Sequence, residues 1–181
     1  AELLAEIDLS TDNERRALEL LGTGVIPGYR FLFGKGPNEH ILRASKMLAV
    51  AHCTLGNPAE GLRLFEGSVL SQEVALLGAE SADVADTRFK MGQCLMYLER
   101  PKDAVEQLKS AADACTAVKG ANDPATTAIQ TTLVSALFAA GDATAAEALY
   151  NGTVRPALTA AGDATALAQA DVQLAADLSK H

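Results

Sequence analysis

A chain of 181 residues is long enough for one sizeable domain, or for a short array of repeats with a real core. Apolar residues make up 49% and charged ones 21%, which excludes a disordered chain. Fifteen basic residues against 23 acidic ones leave a formal net charge of −8, which excludes capture of nucleic acid by bulk positive charge.

No apolar run reaches the length of a membrane-spanning helix. Alanine fills about a fifth of the chain, Trp is absent and aromatics make up only 4%, so helix is favoured and sheet is not. The composition predicts an all-α protein. Cys53, Cys94 and Cys115 form an odd set without metal-type spacing, which suits buried thiols in a cytoplasmic setting. The opening Ala1-Glu2-Leu3-Leu4 lacks an initiator Met and any signal-peptide pattern, and is expected to belong to a processed chain or, in preference, to a piece of a longer one.

In chain order, residues 1–9 are expected to be the tail of a first helix. Thr11 and Glu14 then form a capping-box pair ahead of a second helix, with a bend expected at Pro27-Gly28. A fixed period follows. Gly36, Gly78, Gly120 and Gly162 are spaced 42 residues apart, and each is expected to close a helix before a polar helix start. The clearest start is Asn122-Asp123-Pro124, with Asp123 as N-cap and Pro124 in the first helical turn. Ser81 takes the N-cap position one repeat earlier, and Glu39-His40 the one before that.

One apolar stripe is written three times at helical spacing: Ile41, Ala44, Leu48, Ala51 and Leu55; Val84, Thr87, Met91, Cys94 and Leu98; Thr126, Ile129, Leu133, Ala136 and Ala140. A break follows each stripe. A second helix then carries Gly61/Phe65/Ser68, Ala104/Leu108/Ala111 and Ala146/Tyr150/Thr153, alternating small and large residues for close packing. The same second-helix pattern precedes the first full repeat, because Leu20 to Pro27 parallels Leu149 to Pro156. Residues 163–180 read as a closing helix. The expected total is about nine antiparallel helices in a right-handed α-α superhelix. It divides into a partial repeat (1–36), three full repeats (37–77, 78–119 and 120–161) and a closing segment (162–181).

Met91-Gly92-x-x-Leu95, with Glu99, Ala104, Leu108 and Ala111, resembles the tetratricopeptide repeat. The usual repeat has 34 residues; the 42-residue form here is similar to the repeats of kinesin light chains. The resemblance implies a solenoid scaffold that binds a partner protein or peptide on its concave face, within a larger assembly. It places Arg43, Lys46, Asp86, Phe89, Gln93, Tyr97, Thr131 and Ser135 on that face, alongside Val50, Thr54, Ala128 and Ala139. The family's carboxylate clamp is not expected: Lys46 could supply its lysine, but Val50 stands where an asparagine belongs, and Thr131-Thr132 replace later basic residues.

A narrower resemblance runs from Gly22-Thr23 through Pro27-Gly28-Tyr29-Arg30-Phe31-Leu32-Phe33-Gly34. It is similar to the C-terminal helical domain of SET/MYND-type lysine methyltransferases, whose catalytic modules have no counterpart in this sequence. A structural brick of a cytoskeletal or axonemal complex is the third reading. No catalytic residue, metal ligand or cofactor is assigned. His52 with Cys94 lacks a third orienting group, and Gly22-Thr23-Gly24 and Gly34-Lys35-Gly36 complete no phosphate-binding pattern. The expected setting is cytoplasmic, extending to cytoskeleton or cilium, with protein partners and neither nucleic acid nor membrane.

Overall fold

The computed structural model describes residues 14–34 and 36–179. The expected first helix over 1–9 and the Thr11 cap lie outside them. Among the described residues there are eight continuous helices and no strand. The chain divides into two compact units, one ending at Ala79 and one beginning at Glu80.

The first unit holds α1 (14–33), α2 (Glu39–Thr54) and α3 (58–77). The stripe of α2 is buried as expected at Ile41, Ala44, Leu48 and Ala51. Ala44 and Leu48 pack against Leu21, Val25 and Ile26 of α1, so the stripe of one helix closes on the helix before it. The cap of α2 is Asn38, whose Oδ1 accepts from the His40 and Ile41 amides at 2.9 and 3.3 Å, rather than Glu39-His40. The helix-ending glycine of α1 is Gly34 (φ 80°, ψ −165°), so Gly36 does not have the role its 42-residue spacing suggests.

The second unit holds α4 (Ala82–Tyr97), α5 (Pro101–Lys119), α6 (Pro124–Ala139), α7 (143–161) and α8 (Ala164–Leu178). Ser81 and Asp123 cap α4 and α6 as expected. The stripes of both helices are buried, from Val84 to Cys94 and from Thr126 to Ala136. Val134, Phe138, Ala146, Tyr150, Val154 and Ala170 form one core cluster across α6, α7 and α8.

Leu21, Phe65, Leu108 and Tyr150 occupy matching places in α1, α3, α5 and α7, and all are at most 1% exposed. In three of these helices the turn beginning at or beside that residue widens to a π turn: Leu20–Val25, Phe65–Val69 and Tyr150–Val154. Each turn ends in an amide bonded five residues back, from Ile26 to Leu21, Leu70 to Phe65 and Arg155 to Tyr150. All three segments contain glycine (Gly22 and Gly24, Gly67, Gly152), whereas Leu108-Lys109-Ser110-Ala111 of α5 has none and stays α-helical. Glycine weakens the regular turn and lets it open. The parallel between 20–27 and 149–156 is therefore a repeated backbone feature. Pro27 does not break α1, because the widened turn lies just upstream of its ring. The widening also moves the buried face, so Val69 and Val154 are buried where Ser68 and Thr153 were expected to be.

Candidate functional site

Within the first unit, Lys46 is not available as a clamp cation. Its Nζ lies 3.0 Å from Oε1 of Glu73, a carboxylate only 1% exposed on α3. Glu73 stands where the later repeats carry buried Cys115 and Ala157, counting back from the helix-ending glycine. Arg43 is exposed one turn upstream on α2.

Within the second unit, Asp86, Phe89, Gln93 and Tyr97 follow one another along α4 at helical spacing. Asp86 pairs with Lys90 at 3.4 Å, Phe89 is half-buried, and Gln93 and Tyr97 are exposed. Thr131 and Ser135 are half-buried on α6. Thr131, with Ala128, lines a cleft of about 490 Å³ between α6 and α8, floored by the end of α7. Ser135, Phe89, Gln93 and Tyr97 do not line it.

The repeat register explains why the cleft is open. Its α6 wall is Pro124, Thr127, Ala128, Thr131 and Thr132, and its α7 floor is Ala157, Leu158 and Ala161. The positions in α4 matching Thr131-Thr132 carry the much larger Phe89-Lys90. On α8 the wall is Ala166, Gln169, Ala170 and Gln173. Counted from the N-caps Asp123 and Asp163, Gln169 and Gln173 occupy the places of Ile129 and Leu133, the buried stripe of α6. Amides thus replace the apolar row that seals the other helices, and both glutamines are exposed.

The polar groups are arranged to accept and to donate. Thr127, Thr131 and Thr132 donate their hydroxyls to the carbonyls four residues back, at 3.2, 2.9 and 3.0 Å, which leaves oxygen lone pairs as acceptors. Gln173 Nε2 donates to Asp177 Oδ2 at 3.0 Å. Asn122 and Asp163 close the end where both wall helices begin, and Asp163 is the one charged lining residue. On another face of α8, Asp171 accepts from the Tyr150 hydroxyl, with Arg155 3.8 Å away. Burial first, then that carboxylate, pushes the Tyr150 phenol up to about 12.

Sequence reasoning missed Asn122, Asp163, Gln169 and Gln173. The signal was present, since carrying the stripe forward by cap position into α8 reaches Ala166, Gln169 and Gln173. An apolar search does not register them. Among the described residues, no three His, Cys, Asp or Glu side chains converge as a metal site. No described helix is long and apolar enough to cross a membrane.

These features define an all-α helical-repeat protein whose second unit holds an open cleft between α6 and α8. Residues 83–154 match the tetratricopeptide repeat family model. No curated protein matches the sequence. Among solved structures, the chain is similar to the nearly identical TPR-like repeats of a Podosopora anserina putative kinesin light chain. That match has 18% identity and a TM-score of 0.73, and it covers 99% of this chain and 93% of the other. It is also similar to BtubC (BKLC) from P. vanneervenii, at 15% identity and a TM-score of 0.79, over 96% of this chain and 68% of that one. The fold is that of TPR-like helical solenoids, and repeats of this kind generally mediate protein–protein interaction.

Proposed function

We propose that this chain is a non-enzymatic tetratricopeptide scaffold that holds a peptide segment of a partner protein in the cleft between α6 and α8. The scaffold works as part of a larger cytoplasmic assembly. The observation that carries this reading is the replacement of the sealing row by Gln169 and Gln173 around an open volume of about 490 Å³. A site held open by helices loses little order on binding, which favours capture of a flexible segment. The α4 row of half-buried Phe89 with exposed Gln93 and Tyr97 offers a second contact strip, with apolar anchors beside an amide.

The test is selection of twelve-residue peptides from a displayed library against the immobilised chain, followed by titration of the selected peptides. Thr131→Phe copies the residue that α4 carries at the matching position and fills the cleft. Selected peptides should bind the wild-type chain and lose at least tenfold in affinity against Thr131→Phe. If nothing is selected, or if every selected peptide binds both proteins equally, the cleft is not the site. Phe89→Ala/Gln93→Ala then shows whether the α4 strip holds the peptide instead.

A further inference from the structure

The charge of the cleft narrows the kind of segment it takes. Its lining is amide, hydroxyl, methyl and one carboxylate, Asp163, without a lining cation. The chain as a whole carries −8. No lining cation would pair with an acidic side chain or a terminal carboxylate, and both would meet Asp163 and the net field as like charges. Resting on the peptide-binding reading above, we propose that the cleft takes an internal, extended segment with one Lys or Arg side chain set against Asp163. The amides of Asn122, Gln169 and Gln173 bond the segment's backbone.

Asp163 is suited to this role because its two oxygens can do different work. Oδ1 accepts from the Ala166 amide at 2.9 Å and caps α8. Oδ2 is not used by that cap and lies on an exposed residue lining the cleft. Gln169 and Gln173 lie one helical turn apart on the opposite wall from Thr127 and Thr131, so donors and acceptors face the same volume from both sides. A primary amide can donate to a backbone carbonyl and accept from a backbone N–H, which is the pairing an extended chain offers at alternate residues. On the floor, Ala157 and Ala161 beside Leu158 leave room for main chain rather than large side chains.

Asp163→Asn removes the charge and keeps the cap, since asparagine caps helices as well as aspartate does. The probes are acetylated, amidated hexapeptide mixtures in which one position at a time is fixed as Lys, Gln or Glu. Binding is read by competition against a labelled peptide selected as above. In the wild-type chain, one position should rank Lys over Gln over Glu, with a Lys-to-Gln gap of roughly three- to fivefold, the size expected of a solvent-exposed pair. The gap should shrink with added salt. It should vanish in Asp163→Asn, whose helical signal and melting temperature stay those of wild type. If binding shows no Lys preference, or one that survives Asp163→Asn, the charge assignment is overturned while peptide binding stands. Absence of binding by every mixture overturns both.

Discussion

Gly92 on α4 lies so close to the buried Leu108 of α5 that a β-carbon there would stand 2.6 Å from Leu108 Cγ. The contact lets the two helices approach to backbone distance while Leu108 stays wholly inside. Leu108 has no room to retreat, so Gly92→Ala should destabilise the chain by about 1–3 kcal/mol, as overpacking does. Chemical denaturation measures this. Gly92→Ala/Leu108→Ala should then lose less than the sum of the two single variants, because each removes part of the other's clash or cavity. Additivity would show that the two side-chain positions do not meet.

The Lys46–Glu73 pair separates the cost of a buried charge from the worth of the pair. Lys46→Met leaves the Glu73 carboxylate buried without its cation and should cost about 3 kcal/mol. Lys46→Met/Glu73→Leu should recover most of that loss, since apolar packing serves this place elsewhere at Cys115 and Ala157. Equal instability of the single and double variants, by urea midpoint, would contradict the pairing.

Tyr150 gives the chain an alkaline limit. Its phenol is held neutral by burial and by donation to Asp171, and is pushed up to about 12, above an unfolded value near 10. Between these two values the native state holds a proton that the unfolded state has released, so stability falls as pH rises. The contribution is complete below pH about 10 and is lost on passing the folded value. Melting temperature should drop across that window in the wild-type chain and stay flatter in Tyr150→Phe. Ultraviolet titration should show a late-titrating phenol that is missing from that variant.

Gln169→Ile/Gln173→Leu writes the α6 stripe into α8. The cleft should close on the Ala157 and Ala161 floor, and the chain should gain about 1–2 kcal/mol from the apolar area buried. Peptide binding should be lost in the same variant. A stabilised protein that still binds would show that the ligand sits elsewhere. Stability gained with binding lost would make the natural glutamines an instance of stability given up for function.

The stripes of α2, α4 and α6 were legible because apolar residues at helical spacing can be read directly. The first four positions of each are buried, while the last, Leu55, Leu98 and Ala140, lies at the helix end and is only half-buried. Gly36 misled because its distance to Gly78 matches the period by accident. Counting from the core column does better: Gly34 follows Leu21 by the same 13 residues that separate Gly78 from Phe65. The π turns were visible only as a parallel between 20–27 and 149–156, because their signature is a glycine inside a helix, and many helices tolerate one. Lys46 looked like a surface cation because its partner lies 27 residues away, on the next helix. The cleft could not be seen as a volume, since it arises only where side chains of three helices meet.

The three widened turns have a consequence for how such an array changes length. An extra residue in a regular helix turns everything after it by about 100°, which would point a buried face at water. A π turn takes up that residue locally and returns the downstream side chains to their original bearing. Helix α3 runs from Pro58 to its closing Gly78 in one residue more than α5 needs from Pro101 to Gly120, and α3 has the wide turn where α5 does not. In α7 the wide turn comes without the added residue, and the chain makes up the difference at the exit. Gly162 adopts φ 70°, ψ 14°, where Gly120 has φ 96°, ψ 161°, and the cap of α8 follows at the next residue. Successive repeats therefore tolerate frame slips, and glycines within their helices are the joints at which a slip is absorbed.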